Sequence, residues 1–198
     1  MPSEALIVID VQKDFCPGGA LPVPDGNLVL AECNRQMRAA ELVVLTQDWH
    51  PPDHISFAKK HGLPAYQTIE LDYGTQVLWP THCVQLTAGS EFHPDLSDEL
   101  AQLIIRKGTH AGVDSYSGFF ENDHKTSTGL GGALRELGVE SIVLVGLATD
   151  FCVKYTALDG RALGFEVTVI REGCRGIDID GSLDAAWEEM AHAGVRIR

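Results

Sequence analysis

The sequence predicts an α/β protein in which a mostly parallel sheet of about six strands lies between two layers of helices. Short runs of apolar and β-branched residues recur along the chain, and such runs fit strands that are buried on both faces of a parallel sheet. Stretches with helical periodicity separate them, and this alternation is typical of three-layer sandwiches. With 198 residues, 44% of them hydrophobic, the chain can bury a sizeable core, so we expect one domain over residues 1–198.

The predicted elements follow one another in order along the chain. The strands span residues 5–9, 42–46, 103–106, 142–145, 167–170 and 195–197. The helices span residues 27–40, 95–102, 128–137, 149–163 and 182–193. Asn27 is the expected N-cap of the first helix. Gly138, Gly164 and Gly194 follow three of the later helices, as glycines that cap helix C-termini do.

Composition excludes several classes of partner. The net charge of −13 argues against nucleic acid or an anionic membrane surface as the main partner. No apolar run approaches the roughly 20 residues that span a bilayer, and the N-terminal sequence lacks a basic region and a cleavage-like site. We therefore expect a cytoplasmic protein. Its five cysteines form no CxxC pair, which argues against a disulfide framework and favours catalytic thiol chemistry.

Polar residues follow four of the predicted strands. Asp10 and Lys107 come directly after two of them, Asp48 follows a third after Gln47, and a short turn leads from the fourth to Cys152. Two long connections, 48–94 and 108–127, begin at the same ends, and long connections in compact domains are usually functional. Because ligands bind at the carboxyl edge of parallel strands, we expect these side chains to meet there.

Cys152 lies where a strand turns into a helix. A helix N-terminus favours a thiolate and offers N–H groups to an oxyanion. Taken alone, the segment fits a nucleophile and a buried structural thiol equally well. Asp10 would act as the base for Cys152, and Lys107 would lower the thiol pKa. The alternatives are a loop cap for Asp10 and a solvated charge for Lys107.

A second group of polar residues indicates a metal site. Asp48, His50 and His82 offer the carboxylate and imidazole ligands that suit a divalent transition metal, with positions left open. His54 is expected to be a second-layer partner or a surface residue, and Cys83 to pack in the interior. The alternative for the whole group is a histidine-rich polar loop.

Taken together, these segments resemble the nicotinamidase/pyrazinamidase group of the isochorismatase-like cysteine hydrolases. Five motifs carry the resemblance in the family's order, at residues 9–15, 46–57, 78–84, 106–108 and 146–153. The resemblance covers essentially the whole chain and implies the isochorismatase-like hydrolase fold. It also implies a catalytic triad of Asp10, Lys107 and Cys152.

The resemblance implies the remaining site residues as well. Asp48, His50 and His82 would bind one Zn, Fe or Mn ion. The peptide between Leu147 and Ala148 would be cis, so that the N–H groups of Ala148 and Cys152 form an oxyanion hole. A flat pyridine ring would lie between aromatic walls formed by Phe15, Trp79 and Tyr116.

The activity implied by the resemblance is hydrolysis of nicotinamide to nicotinate and ammonia through a Cys152 thioester, in NAD salvage. Pyrazinamide would be hydrolysed in the same way. The main alternative is a metal-independent cysteine amidase that acts on another small carbamoyl or ureido amide. A metallohydrolase with a bystander Cys152 and a non-enzymatic binding protein are further alternatives. A homo-oligomer is compatible with the sequence, which does not decide the oligomeric state.

Overall fold

A six-stranded parallel sheet forms the centre of the protein. The computed structural model describes residues 3–198. The sheet contains β1 (Glu4–Ile9), β2 (Val43–Asp48), β5 (Leu103–Lys107), β6 (Ser141–Leu147), β7 (Glu166–Arg175) and β8 (Arg196–Ile197). Their order is β5-β2-β1-β6-β7-β8, and every neighbouring pair is parallel. All six predicted strands are confirmed, with bounds that differ by a few residues.

Helices cover both faces of the sheet. They are α1 (Val29–Ala39), α2 (Ala58–His61), α3 (Leu130–Glu136), α4 (Lys154–Ala162) and α5 (Ser182–His192). Successive residues of β1 point to opposite faces: Ala5 and Ile7 belong to the core beneath α3, α4 and α5, whereas Leu6 and Val8 belong to the core beneath α1. The predicted three-layer α/β fold is confirmed. Between residues 3 and 198, no helix is long and apolar enough to cross a membrane.

Two details of the helix prediction are wrong. Asn27 does not cap α1, because it lies inside a 3-10 turn, Gly26–Leu28, that precedes the helix. Residues 95–102 contain only the 3-10 turn Asp98–Leu100. The side chain of Asn34 donates to the carbonyl of Asp95 at 2.7 Å and accepts from the Ser97 N–H at 2.9 Å. Backbone groups of this segment therefore form hydrogen bonds with α1 instead of with one another.

A small hairpin inside the long 48–94 connection escaped the sequence analysis. Its strands, β3 (Thr68–Leu71) and β4 (Gly74–Val77), are antiparallel and are joined by two residues. Both strands carry many exposed or half-buried residues, so they lack the apolar runs that marked the central strands. Gln76 is the buried exception, and its side chain reaches the site described next.

Candidate active site

Four neighbouring strands end at one edge of the sheet. β5 ends at Lys107, β2 ends at Asp48, β1 is followed by Asp10, and β6 leads through a wide π-type turn, Thr149–Val153, to Cys152. From β1 the chain runs to β2 and then to β5 on one side of β1, whereas β6 and β7 lie on the other side of β1. The edge is thus the point where the strand order reverses, which is where α/β sheets bind ligands.

Glycine at 146 lets the two central strands meet closely. Gly146 has φ +120°, and a Cβ atom there would lie 2.1 Å from the carbonyl oxygen of Ile9. Any side chain would push β6 away from β1 and would separate the segments that carry Cys152 and Asp10. The peptide between Leu147 and Ala148 is cis, as the resemblance implied.

Lys107 links three groups of the site through its three N–H bonds. Its side chain is fully buried, and Nζ donates to a carboxylate oxygen of Asp48, to the carbonyl of Ser115 at 2.9 Å, and to Sγ of Cys152 at 3.5 Å. Nζ also lies 2.9 Å from Oδ2 of Asp10. Burial alone would lower the pKa of Lys107, but the charges of Asp10 and Asp48 raise it well above its usual value.

Asp10 is fully buried, and its two carboxylate oxygens have different partners. Its Oδ1 accepts from Thr46 Oγ1 at 2.6 Å. Within residues 3–198, Oδ2 receives no aligned hydrogen bond, although it forms the ion pair with Lys107. A carboxylate oxygen of Asp10 and Sγ of Cys152 lie within 4.8 Å of each other. Asp10 can therefore accept a proton from the thiol.

Burial is the main reason why the pKa of the Cys152 thiol is raised. Burial raises the pKa of Cys152, and the nearby carboxylates of Asp10 and Asp48 raise it further, while Lys107 lowers it. Lys107 thus lowers the thiol pKa as expected, but burial and the two carboxylates outweigh it, and the net pKa lies well above its usual value. Burial also raises the pKa of Asp10. The pair is suited to proton transfer from thiol to carboxylate, because a more basic carboxylate is a better acceptor.

Asp48, His50 and His82 converge on one point. One ligand atom from each lies within 4.8 Å of the others. Nε2 of His50 and Nε2 of His82 are 3.5 and 3.9 Å from Oδ2 of Asp48. Nδ1 of His50 donates to the carbonyl of Gly108 at 3.0 Å, and Nδ1 of His82 donates to that of Pro80 at 2.7 Å. Both Nε2 atoms therefore carry lone pairs, as metal ligands must.

The charge balance of this group also fits a cation. Burial alone would raise the pKa of Asp48, but Lys107 and His50 hold it below its usual range. Burial, together with the neighbouring His50, lowers the pKa of His82 to about 4. Burial alone would lower the pKa of His50, but the Asp48 carboxylate raises it. A carboxylate and two imidazoles that face one another form a donor set suited to Zn, Fe or Mn.

His54 is occupied by other partners. Its Nε2 donates to the carbonyl of Val113 at 3.0 Å, and its Nδ1 accepts from Ser56 Oγ at 2.8 Å. The ring stacks on that of His50 with centroids 4.1 Å apart. Both nitrogens are thus engaged within the protein, and the contact with His50 is a packing contact.

Cys83 is buried and has a free thiol, as do the other four cysteines.

The carboxyl edge of the sheet opens into a small cleft. Phe15, Trp79 and Tyr116 line it beside Asp48, His82, Ala148 and Cys152. Trp79 Nε1 donates to the hydroxyl of Tyr116 at 3.2 Å. The three predicted aromatic residues and both residues of the predicted oxyanion hole therefore border the same space. A flat ring fits between such aromatic faces.

The cleft has further walls that the sequence analysis did not assign. They are Leu21, Asp114, Phe151 and Ile177. Asp114 is buried and accepts a hydrogen bond from Gln76 of the hairpin at 2.6 Å. Phe151 lies inside the motif at 146–153, so its position next to Cys152 is the one feature of the sequence that could have indicated a place in the cleft wall. Nothing in the sequence near Asp114 or Ile177 marks either residue as part of a cleft.

Comparisons with known proteins agree with this geometry. The isochorismatase domain model matches residues 4–198. A nicotinamidase of Acinetobacter baylyi is 51% identical over 97% of this chain and 90% of its own length. A solved Acinetobacter baumannii nicotinamidase/pyrazinamidase superposes with a TM-score of 0.97 at 55% identity, over 98% of this chain and 95% of that one.

A third similar protein was solved with a metal. It is a pyrazinamidase of Pyrococcus horikoshii in complex with zinc, with a TM-score of 0.83 and 41% identity over 100% of this chain and 99% of that one. The family match over nearly the whole sequence agrees with the observed sheet order and with the edge that carries Asp10, Lys107 and Cys152. The chain therefore belongs to the isochorismatase family.

Proposed function

We propose that this protein is an amidohydrolase that converts nicotinamide to nicotinate and ammonia, and pyrazinamide to pyrazinoate. The observation that carries the proposal is the position of Cys152 between Lys107 and Asp10 at the floor of an aromatic cleft, next to the Asp48, His50 and His82 donor set. Similarity to nicotinamidases over nearly the full length supports this choice among cysteine hydrolases. NAD salvage is the cellular role that we propose with it.

The first half of the reaction is acylation of Cys152. Asp10 accepts the thiol proton, and the sulfur attacks the amide carbon while the substrate ring lies between Phe15 and Trp79. Lys107 donates to the sulfur and stabilises its charge as the proton leaves. The N–H groups of Ala148 and Cys152 would hold the oxyanion, and loss of one such donor typically costs ~2.7–4 kcal/mol of transition-state stabilisation.

Ammonia leaves as acylation is completed, and nicotinate leaves in the second half. The proton on Asp10 passes to the departing nitrogen, and ammonia leaves as the C–N bond breaks. Asp10 then accepts a proton from a water molecule, whose oxygen attacks the thioester carbon. The C–S bond breaks, nicotinate leaves, and the proton returns from Asp10 to the sulfur. One carboxyl group thus serves as base and acid in turn.

Asp48, His50 and His82 are the residues that we propose to hold one Zn, Fe or Mn ion. When bound there, the metal would supply a Lewis acid that orients and polarises the substrate. The hydrogen bonds from His50 to Gly108 and from His82 to Pro80 support this proposal, because they leave both Nε2 lone pairs directed inward.

Ammonia release from nicotinamide tests the proposal. We expect release by the wild type, a loss of about 10⁴-fold or more in Cys152→Ala, and a loss on chelation that Zn, Fe or Mn restores. Cys33→Ala, which removes a buried thiol of α1 that does not line the cleft, is the matched control and should retain activity. No release by metal-reconstituted wild type would overturn the proposal.

The same experiment separates the alternatives. Activity that survives chelation but is lost in Cys152→Ala would indicate a metal-independent cysteine amidase, and ammonia from a carbamoyl or ureido compound but not from nicotinamide would indicate the alternative substrate class. Activity that survives in Cys152→Ala but is lost on chelation would indicate a metallohydrolase. An unreactive Cys152, with no ammonia from any small amide, would indicate a binding protein.

A further inference from the structure

Two cavities meet at the side chain of Phe151, one residue before Cys152. The inner one is the cleft that contains Cys152. The outer one is a wider groove on the surface, with Tyr66, Val77 and Ile179 among its walls. Phe151 lines both cavities. Its ring is therefore the partition between the nucleophile and the outer groove.

Contacts on several sides fix the ring of Phe151. It packs edge-on against Trp79, with centroids 4.8 Å apart and an interplanar angle of 87°, and lies 5.4 Å from the ring of Tyr116. Edge-to-face aromatic pairs of this kind are favourable beyond the area that they bury. The Phe151 N–H donates to the carbonyl of Ala148 at 3.1 Å. The partition is thus a built feature of the cleft wall.

The far wall of the outer groove is held independently of that ring. The carboxylate of Asp150 is buried and accepts from the N–H groups of Ile177 at 2.9 Å and Asp178 at 2.8 Å, and from Ser182 Oγ at 2.5 Å. These bonds anchor the segment that carries Ile179. Removal of the Phe151 ring would therefore join the two cavities without releasing the opposite wall.

We propose that Phe151 is a specificity-determining residue that limits the substrates of this site to amides on a single small ring. The inference rests on the proposed amidase function and names the substrate class of that site. With the ring present, a substituent on the substrate that extends toward the groove meets Phe151. With the ring removed, the outer groove accepts the substituent, and the amide still reaches Cys152.

Substituted substrates test this proposal directly. We would compare nicotinamide with nicotinamides that carry a phenyl group on each free ring carbon in turn, using wild type, Phe151→Ala and Phe151→Leu. For at least one phenyl isomer, kcat/KM relative to that for nicotinamide should rise about tenfold or more in Phe151→Ala. Phe151→Leu, which keeps more apolar volume, should give a smaller rise and serves if the alanine variant does not fold.

Tyr66→Ala is the matched control. Tyr66 also contacts Trp79 edge-on, at 6.1 Å, but it lines only the outer groove. Its removal should widen the groove and leave the ratio of rates unchanged. An unchanged ratio in both Phe151 variants, or an equal rise in Tyr66→Ala, would overturn the proposal.

A second measurement does not depend on amidase activity. The rates at which iodoacetamide and its N-phenyl derivative alkylate Cys152 can be followed by peptide mass spectrometry. The rate ratio of the bulky to the small reagent should rise about tenfold in Phe151→Ala and stay constant in Tyr66→Ala. If the wild type releases no ammonia from nicotinamide, the proposed function fails, yet this ratio still decides whether Phe151 is the partition.

Discussion

The Asp10–Lys107–Cys152 cluster and the Asp48–His50–His82 cluster meet at the contact between Lys107 and Asp48, but different interactions hold them. In the first cluster, side chains hold one another through opposite charges and direct hydrogen bonds. In the second, backbone carbonyls orient the imidazoles from behind. The first cluster is thus balanced by its own lysine. The second presents lone pairs toward a common point, as a donor set for the proposed cation would.

This difference predicts that substitutions in the two clusters have different measurable effects. Loss of a member of the charged cluster should impair proton transfer or stability even when metal is plentiful. Loss of a member of the donor set should impair metal binding first and leave the thiol chemistry in place.

Asp10→Asn should have the largest effect, because it removes the proton acceptor and keeps the size of the side chain. We expect kcat/KM for nicotinamide to fall about 10²–10⁴-fold, with metal content unchanged. Thr46→Val is the graded control, since it removes the hydrogen bond to Oδ1 of Asp10 and leaves Oδ2 in place; it should cost less than about tenfold. Equal losses in both variants would contradict the role of Oδ2.

Lys107→Met should lower the free energy of unfolding by about 3–5 kcal/mol, because it leaves Asp10 and Asp48 buried with an unpaired charge. Denaturant unfolding measures the change. The matched control is Lys13→Met, which breaks the ion pair with Glu91 at the surface and should cost about 1 kcal/mol or less. A loss for Lys107→Met as small as that of the control would show that the cluster does not balance itself.

His82→Ala should lower the affinity for zinc by more than about 100-fold, because a direct ligand matters more than a residue that only orients one. Alkylation of Cys152 by iodoacetamide should continue at a similar rate. His54→Ala is the control, because both nitrogens of His54 are used within the protein; its affinity loss should stay below about tenfold. An equal loss in the two variants would make His54 a ligand.

The pH profile should show the smallest effect, a displaced acid limb. Asp10 must be ionised to accept the thiol proton, and burial raises its pKa. At saturating metal, kcat/KM should therefore fall as the pH decreases, with its half-maximum above the ordinary carboxyl value of 3.8. Metal content measured at each pH separates this limb from protonation of His82, whose pKa is about 4. A half-maximum at or below 3.8 would contradict the raised pKa.

The sequence predicted most of the sheet and most of the edge that carries the site. Buried parallel strands are continuous apolar runs, and the residues after them must lie together at one edge, so Asp10, Asp48 and Lys107 could be found without a structure. The β3–β4 hairpin could not, because its strands are largely exposed and carry no such run. Its residue Gln76 nevertheless hydrogen-bonds Asp114 in the cleft wall.

The protonation state of Cys152 could not be predicted from the sequence, for a different reason. The sequence indicates a thiol at a helix N-terminus, where a low pKa is the usual expectation. The pKa depends on how many charges face the sulfur and on its burial, and these follow only from packing. Burial raises the pKa of Cys152, the Lys107 ammonium lowers it and two carboxylates raise it, so that the thiol is favoured. Likewise, the predicted helix at 95–102 failed because Asn34, distant in sequence, binds the backbone of that segment.

The strand order has a consequence for folding of the protein during its synthesis. The four residues at the reactive edge come from strands that are adjacent in space but are separated by tens of residues along the chain, from Asp10 to Cys152. β1 pairs with β2 on one edge and with β6 on the other, so its second edge stays unpaired until β6, which lies far later in the chain, has been made. Sheets built from such distant pairings fold slowly. Recovery of amidase activity would therefore report the completed sheet, and a nascent chain that ends before β6 would have none.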